Sequence, residues 1–242
     1  MKKVWIDGGH GGKDSGAGAN GLQEKNIVLT LALEIKKQLE RDYDGVQVEL
    51  SRSTDVFLEL KERTDTANKA GADLLVSIHC NAGGGAGGFE SFRYTNASAA
   101  SRSLQNVLHT EIMAALKPYN VIDRGQKAAN LHMCRESKMP AVLTENLFID
   151  VATDAAKLKR HEVIEALIDG HVKGIAKYLG LKNKEGAVTV SDKVNVMVDG
   201  KKIKDGKLVD GVTYVPLRAV SEALGTKIGW DNKTKTATIT TK

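Results

Sequence analysis

Only two cysteines, Cys80 and Cys134, occur in the 242 residues. So few exclude a disulfide-stapled secreted scaffold and suit a chain that folds in a reducing compartment. No run of about 18 apolar residues is present, so no segment is long enough to cross a bilayer as a helix, and stable membrane insertion is not expected. The N-terminus, MKKVWIDGGH, has two lysines but its apolar run stops at Asp7. It does not read as a secretory signal, so synthesis in the cytoplasm is expected. After His171 there is neither histidine nor cysteine, which leaves the last third without the usual donors for a soft metal.

What is present fits a globular protein: 41% hydrophobic and 27% charged residues, in a length that holds one medium domain and a small one. The net charge of +5 is mild but uneven. From Asn183 onward eleven Lys/Arg stand against seven Asp/Glu. A basic tail points either to an anionic partner or to a solvated face; a nucleic-acid partner is not expected.

VWID reads as a buried strand, and NIVLTLALEIKKQLE places Ile27, Leu31, Ile35 and Leu39 at helical spacing. VQVELSR, LLVSIH, GFESFRY and AVLTE are further strands. LKERTDTANKAGA and SRSLQNVLHTEIMAALK are helices, ended near Gly71 and Pro118, and residues 155–179 add closing helical material. Helices alternating with near-continuously apolar strands predict an α/β fold, a mostly parallel twisted sheet with helices on both faces. The expected boundaries are a catalytic domain over 1–181, a linker over 182–189 and a small α+β module over 190–242. That module contains Asp-Gly pairs between strand-like runs, a hairpin signal.

Three ionisable residues fall just past expected strands: His10 after VWID, His79 ending LLVSI, and Glu145 ending AVLT. The C-terminal strand ends of an open parallel sheet face one crevice. Glu24 opens the first helix, which returns over the sheet from that edge. Two histidines and two glutamates are thereby brought together. Catalytic zinc usually takes three protein ligands, and two His with one Glu is an established set. The remaining carboxylate is then free to move protons, while zinc lowers the pKa of a bound water towards about 7. The same donors suit non-haem iron, so ligand count alone does not fix the metal. The glycines around His10, Gly8, Gly9, Gly11 and Gly12, allow a tight bend that points it over the edge. Asp7 and Asp14 are candidate orienters of the ligands.

DGGHGGKDSGA, the pair Glu24-Lys25, SRSTD followed by LKERTDTAN, ADLLVSIHCNA and PAVLTENLFID together resemble, in this order, zinc-dependent N-acetylmuramoyl-L-alanine amidases of the third amidase type. The resemblance covers Met1 to about Leu181. It implies zinc ligands at His10, Glu24 and His79, and the catalytic acid/base at Glu145. It also implies hydrolysis of the amide between N-acetylmuramic acid and L-alanine of the peptidoglycan stem, leading to cell-wall lysis. Two positions depart from the family motifs: Gly8 stands for a proline, and Asp150 for an asparagine. In some relatives a long helical insertion before the last strand blocks the site. Residues 117–140 are too short for that here, so activity without an activator is expected.

Cys80 follows His79 and should face the opposite side of the sheet as a small buried hydrophobe. His109, His161 and His171 read as surface or packing residues. Arg124 and His132 are candidate substrate contacts, Arg124 as a fork for a stem-peptide carboxylate. The tail from about Val188 resembles the small module named from the N-terminal domain of copper amine oxidases. It is expected to attach to anionic wall polymer. The whole resembles an endolysin or autolysin that acts on the wall outside the cytoplasm. A zinc peptidase or carboxypeptidase on wall peptides, or a non-catalytic wall-binding protein, are the alternatives.

Overall fold

A computed structural model describes residues 1–184, 193–209, 212–232, 234 and 236–240. The chain divides into two compact units, Met1–Lys184 and Glu185–Lys242. In the first, β1 (Lys2–Gly8) leads through a short ribbon, β2 (Gly18–Ala19) with β3 (Leu22–Gln23), into α1 (Glu24–Asp42). Next come β4 (Val46–Leu50), α2 (Leu60–Ala70), β5 (Leu74–Asn81), β6 (Phe89–Tyr94) and α3 (Ala99–Leu116). A 3-10 turn (Lys117–Tyr119) precedes β7 (Asp123–Ala129), α4 (His132–Arg135), β8 (Ala141–Phe148), α5 (Ala152–Leu158) and α6 (His161–Leu179).

Six strands form one sheet in the order β4-β1-β5-β8-β6-β7. Every neighbouring pair is parallel except β8–β6, which is antiparallel. β6 and β7 therefore start at the edge where β1, β5 and β8 finish, so both strand directions deliver side chains to one edge.

The sheet is covered on both faces, as the apolar strands imply. In β1, Val4 and Ile6 join Leu31 and Ile35 of α1, Leu108 of α3 and Ile175 of α6 in the larger core. Trp5, pointing the other way, joins Leu75, Ala141, Ala67 of α2 and Met133 of α4. Each large aliphatic side chain buried in this way contributes about 1.5–3 kcal/mol. The Ser98 hydroxyl caps α3 by accepting from the Ser101 amide. At the α3–α6 contact a Cβ on Gly170 would lie 2.6 Å from Ile112 Cα; the absent side chain lets the helices approach.

Some elements differ from expectation. β7 was not foreseen, because DRGQKAA carries few apolar residues and exposes alternate positions as the edge strand. Residues 155–179 hold the end of one helix and the whole of another, α5 and α6. Residues 182–184, expected as linker, are tied to the end of α1: Asp44 donates to the Lys182 carbonyl at 2.9 Å and Lys184 to that of Asp42 at 2.8 Å. The rest of the expected linker, 185–189, lies outside the described residues.

The second unit holds β9 (Lys193–Val198), β10 (Lys201–Val209), β11 (Val212–Tyr214), α7 (Leu217–Ala223), β12 (Lys227–Asp231) and β13 (Thr236–Thr240). They form an antiparallel sheet β11-β10-β9 and a ribbon β12–β13. At Asp199-Gly200 both φ angles are positive, 48° and 75°, as a two-residue hairpin turn demands. The other Asp-Gly pair read as a turn, residues 210–211, lies outside the described residues.

Candidate metal centre

His10, Glu24 and His79 converge at the sheet edge. Their ligand atoms all lie within 4.8 Å of one another. Glu24, the first residue of α1, places Oε1 3.1 Å from His10 Nε2 and 3.0 Å from His79 Nδ1. The same oxygen accepts from the Cys80 amide at 3.0 Å, and Oε2 accepts from that of Ala17 at 2.8 Å. The two imidazoles meet edge to face, with centroids 5.0 Å apart.

The glycines shape this cradle. A Cβ on Gly9 would sit 2.2 Å from His79 Cε1, and one on Gly16 would sit 2.6 Å from Glu24 Oε2. His10 itself has φ 59°, an uncommon left-handed conformation for a residue with a side chain. Asp14 lies across the turn and takes His10 Nδ1 at 2.9 Å, leaving Nε2 to face Glu24. That is the carboxylate–imidazole support typical of metal ligands.

Asp7 does not touch the ligand side chains. It is buried, meeting the Ser51 and Ser77 hydroxyls at 2.5 and 2.7 Å and Arg63 Nη1 at 2.9 Å. Burial works against its charge, but Arg63 and the hydroxyls outweigh it and hold the carboxyl below the usual range. Arg63 also donates to the Gly8 and His10 carbonyls at 2.9 and 2.6 Å. Arg52 donates to the carbonyls of Gly8, Gly9 and Lys25 at 2.8–2.9 Å. Lys25 reaches the Gly12 carbonyl at 3.0 Å and Asp55 at 2.7 Å. Sequence reasoning assigned no task to Arg52, Arg63 or Asp55. All three lie in the SRSTD and LKERTDTAN segments, whose polar text does not show that they support the turn.

Glu145 stands opposite His79 across the parallel β5–β8 pair and opposite Glu90 across the antiparallel β6–β8 pair. Its Oε2 is buried with no hydrogen-bond partner among the described residues. Burial, aided by the negative charges of Glu24 and Glu90 and opposed by the two histidines, pushes its carboxyl up to about 7. Around Glu24 the balance is reversed. Burial disfavours its charge, but the hydrogen bonds from His10 and His79 hold its carboxyl well below the usual range. His10 is driven to about 9, its hydrogen bonds to Glu24 and Asp14 overcoming burial, and His79 is also raised. A deep carboxylate with one nitrogen of each imidazole turned onto the same oxygen brings three donors to one point, and a cation bound there would take the place of the protons that those rings share with Glu24. The donor types and spacing fit a divalent cation.

The other candidates are placed as follows. Arg124, at the start of β7, has Nε 2.8 Å from Glu90 Oε2, so its partner within the protein is that carboxylate. His132 bonds Thr64 of α2 at 3.2 Å and has no hydrogen bond to the three ligands among the described residues. Cys80 is 2% exposed, in the larger core. His109 and His171 are buried, bonded to Ser91 with Asp123, and to Thr144 with the Leu167 carbonyl; His161 is exposed. Asp150 accepts from the amides of Gly83 and Gly84, each at 2.8 Å, fixing the loop after β5.

A parallel-sheet domain with a two-histidine, one-glutamate cradle and a carboxylate beside it has the donor set that metallohydrolases use. Residues 4–177 match the family model for N-acetylmuramoyl-L-alanine amidase, and the chain belongs to that family. It is an enzyme of cell-wall hydrolysis. The chain is 51% identical to the endolysin of Bacillus phage SPP1 over 187 residues, 76% of this chain and 69% of that one. It is 47% identical to the sporulation-specific N-acetylmuramoyl-L-alanine amidase of Bacillus subtilis, over 75% of this chain and 70% of that one. The solved catalytic domain of CwlV, an N-acetylmuramoyl-L-alanine amidase from Bacillus (Paenibacillus) polymyxa, superposes with a TM-score of 0.70 at 37% identity, covering 75% of this chain and all of that one. Residues 197–242 match the model for the copper amine oxidase N-terminal domain.

Proposed function

We propose that His10, Glu24 and His79 hold one zinc ion, and that Glu145 moves the protons in hydrolysis of the amide joining N-acetylmuramic acid to L-alanine in peptidoglycan. The observation that carries this is the convergence of the three donors within 4.8 Å, with the half-buried Glu145 in register beside His79. Zinc, when bound, supplies Lewis acidity that polarises the lactyl carbonyl and readies water as a nucleophile at neutral pH. Glu145, with a proton affinity near neutrality, takes a proton from the attacking water and returns it to the departing alanine amine. Asp14 holds the His10 ring with Nε2 facing inward. Arg124 and His132 contact the substrate beyond the reacting bond.

The second unit tethers the enzyme to anionic wall polymer. Its Tyr214 and Trp230 are 59% and 58% exposed, and its basic excess complements such a polymer. Among the described residues no helix is long and apolar enough to cross a membrane.

Digestion of purified sacculi with and without a chelator, followed by mass spectrometry, tests the reading. Intact stem peptides freed from glycan, abolished by the chelator and restored by zinc, are expected. Release of single terminal amino acids instead would replace the amidase with a carboxypeptidase. Retention on sacculi that disappears when residues 185–242 are deleted is expected of the tether; undiminished retention would end it.

A further inference from the structure

The edge that gathers the metal cradle also carries a second charged group that the ligands do not use. Glu90, on β6, has a side chain only 4% exposed. Its Oε1 accepts from Asn81 at 2.7 Å, and its Oε2 faces both Arg124 Nε, at 2.8 Å, and Lys127 Nζ. Burial opposes the charge, but Lys127 and Arg124 outweigh it and keep Glu90 ionised. One buried anion thus anchors two cations whose side chains remain 30% and 39% exposed, and the group keeps a net positive charge towards solvent.

The geometry aims that charge at the reacting end of the site. Glu90 is the cross-strand partner of Glu145, so their side chains stand on one face of the sheet. The Arg124 guanidinium lies over the Phe148 ring of β8, 4.6 Å from its centroid, which fixes its plane. Nε is committed to Glu90 and Nη1 reaches the Gly87 carbonyl only at 3.5 Å. Nη2 enters no hydrogen bond among the described residues, leaving part of the fork free. β7 lies two strands from β8, roughly 10 Å between backbones, and Arg124 reaches back over that gap. An extended peptide advances about 3.3–3.6 Å per residue, so a group on the residue after L-alanine falls within this span.

We propose that Arg124 and Lys127, anchored by Glu90, form a carboxylate subsite that reads a free carboxylate on the second residue of the stem peptide. The proposal rests on the amidase reading above. A purely structural ion pair needs one cation for one carboxylate; the extra cation and the free edge of the fork match a planar anion brought by substrate.

The test compares two muramoyl tripeptides whose second residue is an acidic one joined onward through its side-chain carboxyl, one leaving its α-carboxylate free and one carrying that group as the primary amide. Both are given to the zinc-loaded, full-length enzyme. The wild type is expected to favour the carboxylate form by about tenfold in kcat/KM, chiefly through KM, the worth of one partly exposed charge-assisted contact. Lys127→Gln and Arg124→Gln should each bring that ratio close to one, and Lys127→Arg should keep it. A wild-type ratio near one, or variants that depress both substrates by the same factor, would overturn the subsite while leaving the amidase intact. Failure of the wild type to cleave either muramoyl–alanine bond would instead sink the amidase reading, and the subsite with it. Should Arg124→Gln lose its fold on a melting curve, Lys127→Gln, altered at the more exposed side chain, decides the matter.

Discussion

Gly9 and His79 lie so close that a single added carbon at Gly9 would stand 2.2 Å from the His79 ring. The backbone of one strand end is the wall against which the ligand of the next is set. Gly9 does not have a positive φ, so alanine can adopt its backbone conformation. Gly9→Ala should fold and melt near the wild type yet displace the His79 ring. A drop of about 10–100-fold in zinc affinity, the range seen when ligand support is lost, is expected by competition with a chromogenic chelator. Unchanged affinity would show that the ring has room to move.

Asp14→Ala removes the carboxylate that holds His10 Nδ1. Because the Asp14 side chain is half-exposed on a turn, stability should fall by only about 1 kcal/mol. Zinc affinity should again fall by about 10–100-fold, and Asp14→Asn, which keeps an acceptor, should recover part of it. Isothermal titration of the metal-free variants checks both.

Glu145→Gln separates activity from stability. Burial, joined by the negative charges of Glu24 and Glu90, raises the folded-state pKa from 4.5 to about 7. The folded protein therefore holds this proton more tightly than the unfolded chain does. The resulting stabilisation is present below about pH 4.5 and is lost as pH rises through about 7, a difference of about 3 kcal/mol in the metal-free protein. Metal-free Glu145→Gln should thus be more stable than the wild type at pH 8 and similar to it at pH 4.5, while turnover falls by about 10²–10⁴-fold. Urea unfolding at the two pH values shows whether the gap opens with rising pH; a gap that stays constant would contradict the assignment.

Arg63 and Asp7 form an ion pair with side chains 3% and 1% exposed. Arg63→Ala leaves Asp7 charged and buried, and removes donors from the Gly8 and His10 carbonyls. A loss of about 3–5 kcal/mol, typical of a broken buried pair, is expected from denaturant unfolding. A loss below about 1 kcal/mol would mean that water replaces the guanidinium.

His10, His79 and Glu145 stood out in the sequence because each follows an apolar run, VWID, LLVSI and AVLT, and Glu24 because it opens the first helix. Strand ends in a sheet of this kind share an edge, so the pattern brought the four together, while their separate roles came from the family resemblance. Arg52 and Arg63 were not legible as carriers of the turn. An arginine in a polar helix such as LKERTDTANKA looks solvent-facing, and only the return of α2 against β1 buries it. β7 escaped notice for the opposite reason. Its polar text, DRGQKAA, is what an edge strand can hold, since one side has no neighbour to demand apolar residues. With β7 unseen, Arg124 could be singled out as a candidate substrate contact but not tied to Glu90, which drew no notice.

Arg52 and Arg63 between them take up the carbonyls of Gly8, Gly9 and His10, the peptide units that lead into and carry the first ligand. These bonds owe nothing to the cation. A preparation stripped by a chelator should accordingly retain a socket of the right form, and regain turnover as fast as zinc is captured, without a refolding step. Emptying and refilling of the proposed site would then leave the backbone that carries His10 in place.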